Sequence, residues 1–306
     1  MQKTFCIVWL FVCSLTFAFG QRQHKATDWT MDGLHGKVKM LTVKEYAPKS
    51  DTAKNEELIE TSVRCYDELG YLSEIKEVDN LGVVQQRQVF VYTKKRNQLQ
   101  EMLYDEEGKL LEKTVAKLNY AGNPTQSATF DERGKRQQKT VYEYNARDQL
   151  LQQSGYDEKG KLTEKSYYAY NEKGLLCKYL GFGEYENKKI IYKYDADKNS
   201  IEMLVYHSKT NAFLEKITQQ FDAKKNIVAV NYWDENNVLK SSVLYKYDEK
   251  GNQSEYSVLD ADKNIQDAYL FVYQYDNQNN WISQLVYKGK DKQAESRMER
   301  TIEYYE

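Results

Sequence analysis

Along almost the whole chain an aromatic residue followed by Asp or Asn returns at fixed spacing, and this limits the fold more than any other feature. One series runs Tyr66, Tyr92, Leu118, Tyr144, Tyr170, Tyr194, Phe221, Tyr247 and Tyr275. A second runs Val78, Tyr104, Phe130, Tyr156, Phe182, Tyr206, Trp233, Leu259 and Tyr287. Each member of the second lies 12 residues after its partner in the first, and the return gap is usually 14, giving a period of 26. Fifteen of the 18 positions are aromatic and 14 are followed by Asp or Asn, so the repeat is the unit of folding.

The local chemistry identifies that unit. In Tyr156-Asp157-Glu158-Lys159-Gly160 the Asp opens a turn by bonding its own backbone, and the Gly accepts positive φ. Where Gly is missing, Asn199, Asn226 and Asn264 stand at the same place or one later, Asn being the next most tolerant residue there. Between turns the residues alternate: Ile265, Tyr269, Phe271, Tyr273 and Tyr275 share one parity, and Trp281, Leu285 and Tyr287 continue it. Such alternation, rich in aromatic and β-branched residues, reads as strand. Return gaps of 12 (Phe182 to Tyr194) and 16 (Leu259 to Tyr275) differ from 14 by two, which keeps every side chain on its face. The odd gap, from Tyr206 to Phe221, contains Ser208-Lys209-Thr210-Asn211, read as a lengthened turn.

The expected fold is therefore all-β, an antiparallel meander of hairpin repeats over residues 37–306. Eighteen turns imply roughly twenty strands, about 90 Å of flat sheet at ~4.8 Å each. Open twisted sheets of that width curl, so the expectation is a curved single-sheet solenoid or partial shell in which each unit touches its neighbours. Residues 37–46 with 58–66, and 281–287 with 297–305, read as capping hairpins that protect the exposed edges. The acidic stretch Asp51 to Glu60 is the one place for a short helix.

Ahead of the repeats, Lys3 precedes an apolar run from Phe5 to Phe19 that ends in Ala18-Phe19-Gly20. The run is too short for a spanning helix and reads as an export signal, residues 1–20, cut before Gln21. The competing lipoprotein reading of Cys13 lacks a small residue at Val12. Residues 21–36 are expected as a flexible lead-in. After processing only Cys65 and Cys177 remain, four units apart and too distant to bridge in an open sheet. A net charge of −2 gives no footprint for nucleic acid, and no membrane span is expected in the mature chain.

Tyr192-Lys193-Tyr194-Asp195, Tyr245-Lys246-Tyr247-Asp248-Glu249-Lys250-Gly251-Asn252 and Tyr273-Gln274-Tyr275-Asp276 resemble the Tyr-Asp repeats of the Rhs family of bacterial surface and toxin proteins. The opening Gly33 to Lys39, and the ending Asn280-Trp281 through Arg300 to Tyr304, look like those of small secreted Bacteroidetes members. The resemblance implies a sugar-binding or wall-associated role, or a toxin-associated or immunity-type partner. Larger relatives form hollow shells around a toxin; this chain is far shorter.

Chemistry-bearing motifs are few. His24, His35 and His207 have neither zinc-ligand spacing nor a neighbouring Cys or Ser. Nearly every Asp occupies the same turn position, so the turn explains it and no catalytic pair breaks the repeat. Asp195 to Asn199 and Asp260 to Asn264 begin like calcium loops, but Tyr206 and Phe271 stand where the bidentate Glu belongs. No enzyme activity, metal or cofactor is expected. The expectation is an exported binding scaffold for polysaccharide, cell wall or protein, in the periplasm, at the outer membrane surface or outside the cell. Its candidate binding residues are Trp233 and Trp281, placed beside turns, with Tyr167, Tyr269 and Tyr273 from the aromatic stripes.

Overall fold

The computed structural model describes residues 27–47, 57–183, 187–289 and 294–306. The expected export signal and most of the acidic stretch lie outside the described residues. A four-residue helix, α1 (Asp28–Met31), precedes twenty strands. They are β1 (Val38–Tyr46), β2 (Leu58–Tyr66), β3 (Leu72–Asp79), β4 (Val84–Tyr92), β5 (Gln98–Tyr104), β6 (Leu110–Leu118) and β7 (Pro124–Asp131). Next come β8 (Arg136–Tyr144), β9 (Leu150–Tyr156), β10 (Leu162–Tyr170), β11 (Leu176–Gly183), β12 (Lys188–Asp195), β13 (Ser200–His207) and β14 (Phe213–Phe221). The last six are β15 (Ile227–Trp233), β16 (Leu239–Tyr247), β17 (Gln253–Asp260), β18 (Ile265–Tyr275), β19 (Trp281–Lys288) and β20 (Ser296–Tyr304).

The turns follow the chemistry of the repeat. At Asp79 the backbone C=O accepts the Gly82 N–H at 3.1 Å, while Oδ1 accepts the N–H groups of Leu81 and Val83 at 2.9 and 2.8 Å. Asp105, Asp131, Asp157, Asp234 and Asp260 repeat this double acceptance. One detail differs from expectation: the left-handed residue is Lys225 or Lys263, not Asn226 or Asn264. The two Asn side chains instead donate to the carboxylates of Asp222 and Asp260.

The expected open solenoid or partial shell does not form; the sheet closes on itself. Every strand pairs antiparallel with its chain neighbour, and β1 also pairs with β20 from Val38↔Tyr304 to Tyr46↔Arg297. The two hairpins expected to cap the ends thus zip to each other. The repeat units lie side by side around one closed wall instead of stacking as solenoid coils or lining a partial shell, an arrangement the Rhs resemblance does not imply. The pairing register shifts immediately before seven markers of the first aromatic series and six of the second, 13 of 18. Each shift is a bulge that bends its strand and increases local twist, so curvature accumulates around the wall until the edges meet. Twenty strands at ~4.8 Å make a ring about 30 Å across between backbones, too wide for side chains to fill.

Register assigns every strand residue to one of two faces. On β18, Tyr269, Phe271, Tyr273 and Tyr275 are half-buried while the alternate Leu270, Val272 and Gln274 are exposed; β16 shows the same contrast. Side chains converge inside a closed wall and splay outside it, so the less exposed face is the inner one. At the end where β1 begins and β20 finishes, inner tyrosines reach back one hairpin: the hydroxyls of Tyr144, Tyr170, Tyr194 and Tyr247 donate to the carbonyls of Pro124, Leu150, Leu176 and Ile227 at 2.7–2.9 Å. The same end is covered near the seam by residues 27–36. Expected as flexible, this segment is held by Leu34 buried against Val38, Leu41 and Tyr66, and by Asp32 on Arg64 and the Tyr66 hydroxyl. Gly70 must be glycine here: its φ is +84, and a Cβ would lie 2.5 Å from the Trp29 ring.

Cys65 and Cys177 are free thiols, nine strands apart in the ring and on opposite faces of the wall.

Asn280 pins the lead-in segment to the barrel. Only 1% exposed, it accepts the His35 N–H at 2.7 Å and donates to the His35 carbonyl and Tyr304 hydroxyl at 2.8 and 2.7 Å. Asn280→Ala leaves these partners unsatisfied and is expected to cost about 2–3 kcal/mol in chemical denaturation; a loss below about 0.5 kcal/mol would show that the pin is not structural.

Candidate functional site

The inner wall divides into two arcs. From β10 to β19 it is aromatic and aliphatic. Tyr245, Tyr256 and Tyr269 stand directly opposite one another on β16, β17 and β18, with ring centroids 5.7 and 6.1 Å apart. Lys288 continues the row on β19, its Nζ 5.4 Å from the Tyr269 ring. A second group, Tyr168 on β10 and Tyr179 on β11, has centroids 5.3 Å apart, with Ser166 within 3.2 Å of the Tyr179 hydroxyl. Between the groups lie Ile201, Met203 and Val205, all under 5% exposed. Burial pushes the Tyr192 and Tyr245 hydroxyls up to about 12, so at neutral pH they are uncharged donors. Rows running across strands, about 5 Å per step, set successive rings along the circumference, tilted 62° and 46° to one another.

From β1 to β6 the inner wall is acidic. Glu45 faces Glu60, and Glu60 faces Asp79, each pair directly opposite in register. Like charges opposed this way are destabilising. Desolvation and the Glu60 carboxylate raise Glu45; desolvation, Glu112 and Asp28 raise Glu101. Glu77 is raised by desolvation and by Glu60, partly offset by the Ser62 hydroxyl, which donates to it at 3.1 Å. Carboxylates at this spacing can accept hydroxyls or attract cations. Among the described residues no three His, Cys, Asp or Glu side chains converge to hold a metal ion.

The wall separates the five residues singled out from sequence. Tyr269 and Tyr273 face inward; Tyr273 donates to the Gln253 carbonyl and receives the Gln284 amide, both at 2.9 Å. Trp281 joins them, 6.0 Å from the Tyr273 ring and capped by the Arg300 guanidinium at 3.4 Å. Tyr167 and Trp233 lie on the outer face, under Lys165 at 5.0 Å and Lys216 at 4.3 Å. Standing beside a turn does not expose either Trp: both are half-buried. Stripes along single strands hide the cross-strand row, which adds Tyr256 and gives Tyr245, above only part of a repeat motif, a place on the inner wall. The available signal was symmetry: they flank the Asp248 turn so as to face each other in register, as Tyr256 and Tyr269 do about the Asp260 turn.

Lys113, Lys139, Lys178 and Lys193 stand within strands on the outer wall and Lys246 lies near the end of β16; Lys193 and Lys246 pair with Glu202 and Glu255 at 2.9 and 2.8 Å. A bilayer-facing barrel needs an apolar outer band, and a Lys at its midplane costs about 2–4 kcal/mol. The outer face of this wall interleaves its charges with exposed Val91, Leu244, Leu270 and Val272.

No family model matches this chain, and no curated protein matches it. Among solved structures it is similar to a porin-like protein from Bacteroides uniformis, with 13% identity, TM-score 0.38 and coverage of 87% of this chain and 96% of that one. A porin-like protein from Bacteroides vulgatus shows 12% identity, TM-score 0.31 and coverage of 88% and 99%. The Photorhabdus luminescens Tc holotoxin pore shows 11% identity and TM-score 0.25 over 84% of this chain and 18% of its own. At these scores the likenesses are partial, and function must be read from this chain's own wall.

The acidic arc yields a pH dependence of defined sign. A raised carboxyl binds its proton more tightly in the folded than in the unfolded chain. Between the usual and the raised pKa folding therefore takes up a proton, and stability rises as pH falls through that window. Above the window the ionised group is a constant cost. Glu101→Gln is expected to raise the melting temperature at pH 8 and to leave it unchanged below about pH 4. An equal shift at both pH values would mean that charge is not the cause.

Proposed function

We propose that this chain is an exported, non-catalytic barrel that stands in water at the cell envelope and binds glycan chains along its inner wall. The apolar run Phe5 to Phe19 supports export, and the charged outer wall supports a soluble rather than a lipid-facing barrel. The observation that carries the binding reading is the circumferential row Tyr245, Tyr256, Tyr269, half-buried in a lumen too wide to pack. Flat aromatic faces flanked by acceptors suit sugar rings, whose axial C–H groups stack while their hydroxyls donate. One stacking contact supplies about 1–3 kcal/mol, a range borrowed from base stacking. A single sugar therefore binds weakly, and linked sugars gain by making later contacts intramolecular.

Calorimetric titration of residues 21–306 with a length series of oligosaccharides tests this. Affinity is expected to climb from mono- to hexasaccharide, and Tyr256→Ala to lower it roughly tenfold. Trp233→Ala, on the outer face, is expected to have no effect. Tight binding of one monosaccharide, or equal losses from the two substitutions, would exclude an inner-wall track.

A further inference from the structure

Arg300 stands apart from the other arginines of the wall. Arg64 contacts Asp32 and Arg96 contacts Asp67, both at 2.5 Å; Arg87 contacts Glu74 at 2.5 Å, and Arg297 contacts Glu299. Arg300 lies on the inner face of β20 opposite Val43, and among the described residues no carboxylate, carbonyl or hydroxyl accepts from it. One face of its guanidinium is stacked on Trp281 at 3.4 Å, and its Nε is out of solvent without a hydrogen-bond partner. The residue as a whole keeps partial exposure, so its two Nη groups are what it presents to the lumen. The charges around it do not neutralise it: Asp32 is already engaged by Arg64. Burial and the neighbouring Arg64 bring its pKa down to about 10, which still leaves it cationic at neutral pH.

A desolvated guanidinium held flat by an indole, with its fork free, is pre-organised for a planar oxyanion: the two Nη groups match a carboxylate's two oxygens. We propose that Arg300, positioned by Trp281, binds the carboxylate of a uronic acid unit of the glycan. This rests on the glycan reading above and narrows it. Glu60, Glu77 and Glu101 on the same inner wall repel an anion away from Arg300, and Glu45, the next inner residue on β1 after Val43, bounds the site on that side, so the ligand carries an isolated acidic unit on an otherwise neutral chain. Trp281 is thereby a support for the cation, not a stacking platform, since Arg300 covers its face.

The test titrates residues 21–306 with matched oligosaccharides: neutral xylo- and gluco-hexamers, the same hexamers bearing one glucuronate, and the same bearing one sulfate. The uronate members are expected to bind about tenfold tighter than the neutral ones. Arg300→Gln is expected to abolish that preference while leaving neutral affinity unchanged; Arg300→Lys, which keeps charge without the fork, retains part of it. A merely structural arginine would lower neutral and acidic binding together. Equal affinity for neutral and uronate members, or a preference surviving Arg300→Gln, overturns the proposal and leaves the glycan reading standing. A stronger preference for the sulfate member overturns the carboxylate assignment. Absence of binding by every member overturns the glycan reading and this inference with it.

Discussion

The pairing of β1 with β20 is the constraint on which the rest depends. Each strand edge carries N–H and C=O groups that need partners, and a twenty-stranded open sheet would leave two such rows exposed. The bulges at 13 of the 18 repeat markers supply the curvature, and the seam completes it with pairing from Val38 to Tyr46 against Arg297 to Tyr304. Once the wall is closed, inside and outside become different solvents for the side chains. The lead-in segment, the tyrosine bonds at the end where β1 begins and the two inner arcs all follow from that distinction.

Closure without a filled centre explains the composition. Outside the small cluster of Leu34, Val38, Leu41 and Tyr66, most inner positions are half-buried. A wall around an unfilled centre is stabilised mainly by its backbone ladder, by cross-strand pairs and by turns that satisfy their own groups. Tyrosine suits such a wall because its ring packs sideways against the neighbouring strand while its hydroxyl finds a carbonyl. This is why 27 tyrosines take the place of the leucines and isoleucines of a packed core.

The repeat made the strands, turns and faces legible in the sequence, because period 26 and alternation are local properties. Closure was not legible: it depends on the sum of many small bends and on the match between Val38 to Tyr46 and a segment some 250 residues later. The hairpins at the two ends were recognisable, yet whether each caps an edge or pairs with the other is decided only by total curvature. The site shows the same division. Tyr269, Tyr273 and Trp281 were visible as aromatic residues, whereas the row through Tyr245 and Tyr256 depends on register across two turns. The role of Arg300 depends on what is missing around it, which no motif records.

Cross-linking the seam tests closure most directly. Thr42 on β1 and Thr301 on β20 are register partners on the outer face. In a Cys65→Ser, Cys177→Ser background, Thr42→Cys with Thr301→Cys is expected to form an intramolecular disulfide in high yield under mild oxidation. Thr42→Cys with Thr218→Cys, on the distant strand β14, is expected to form none. Equal yields from the two pairs, or no cross-link across Thr42 and Thr301 in folded monomer, would contradict a closed barrel and return the sheet to an open form.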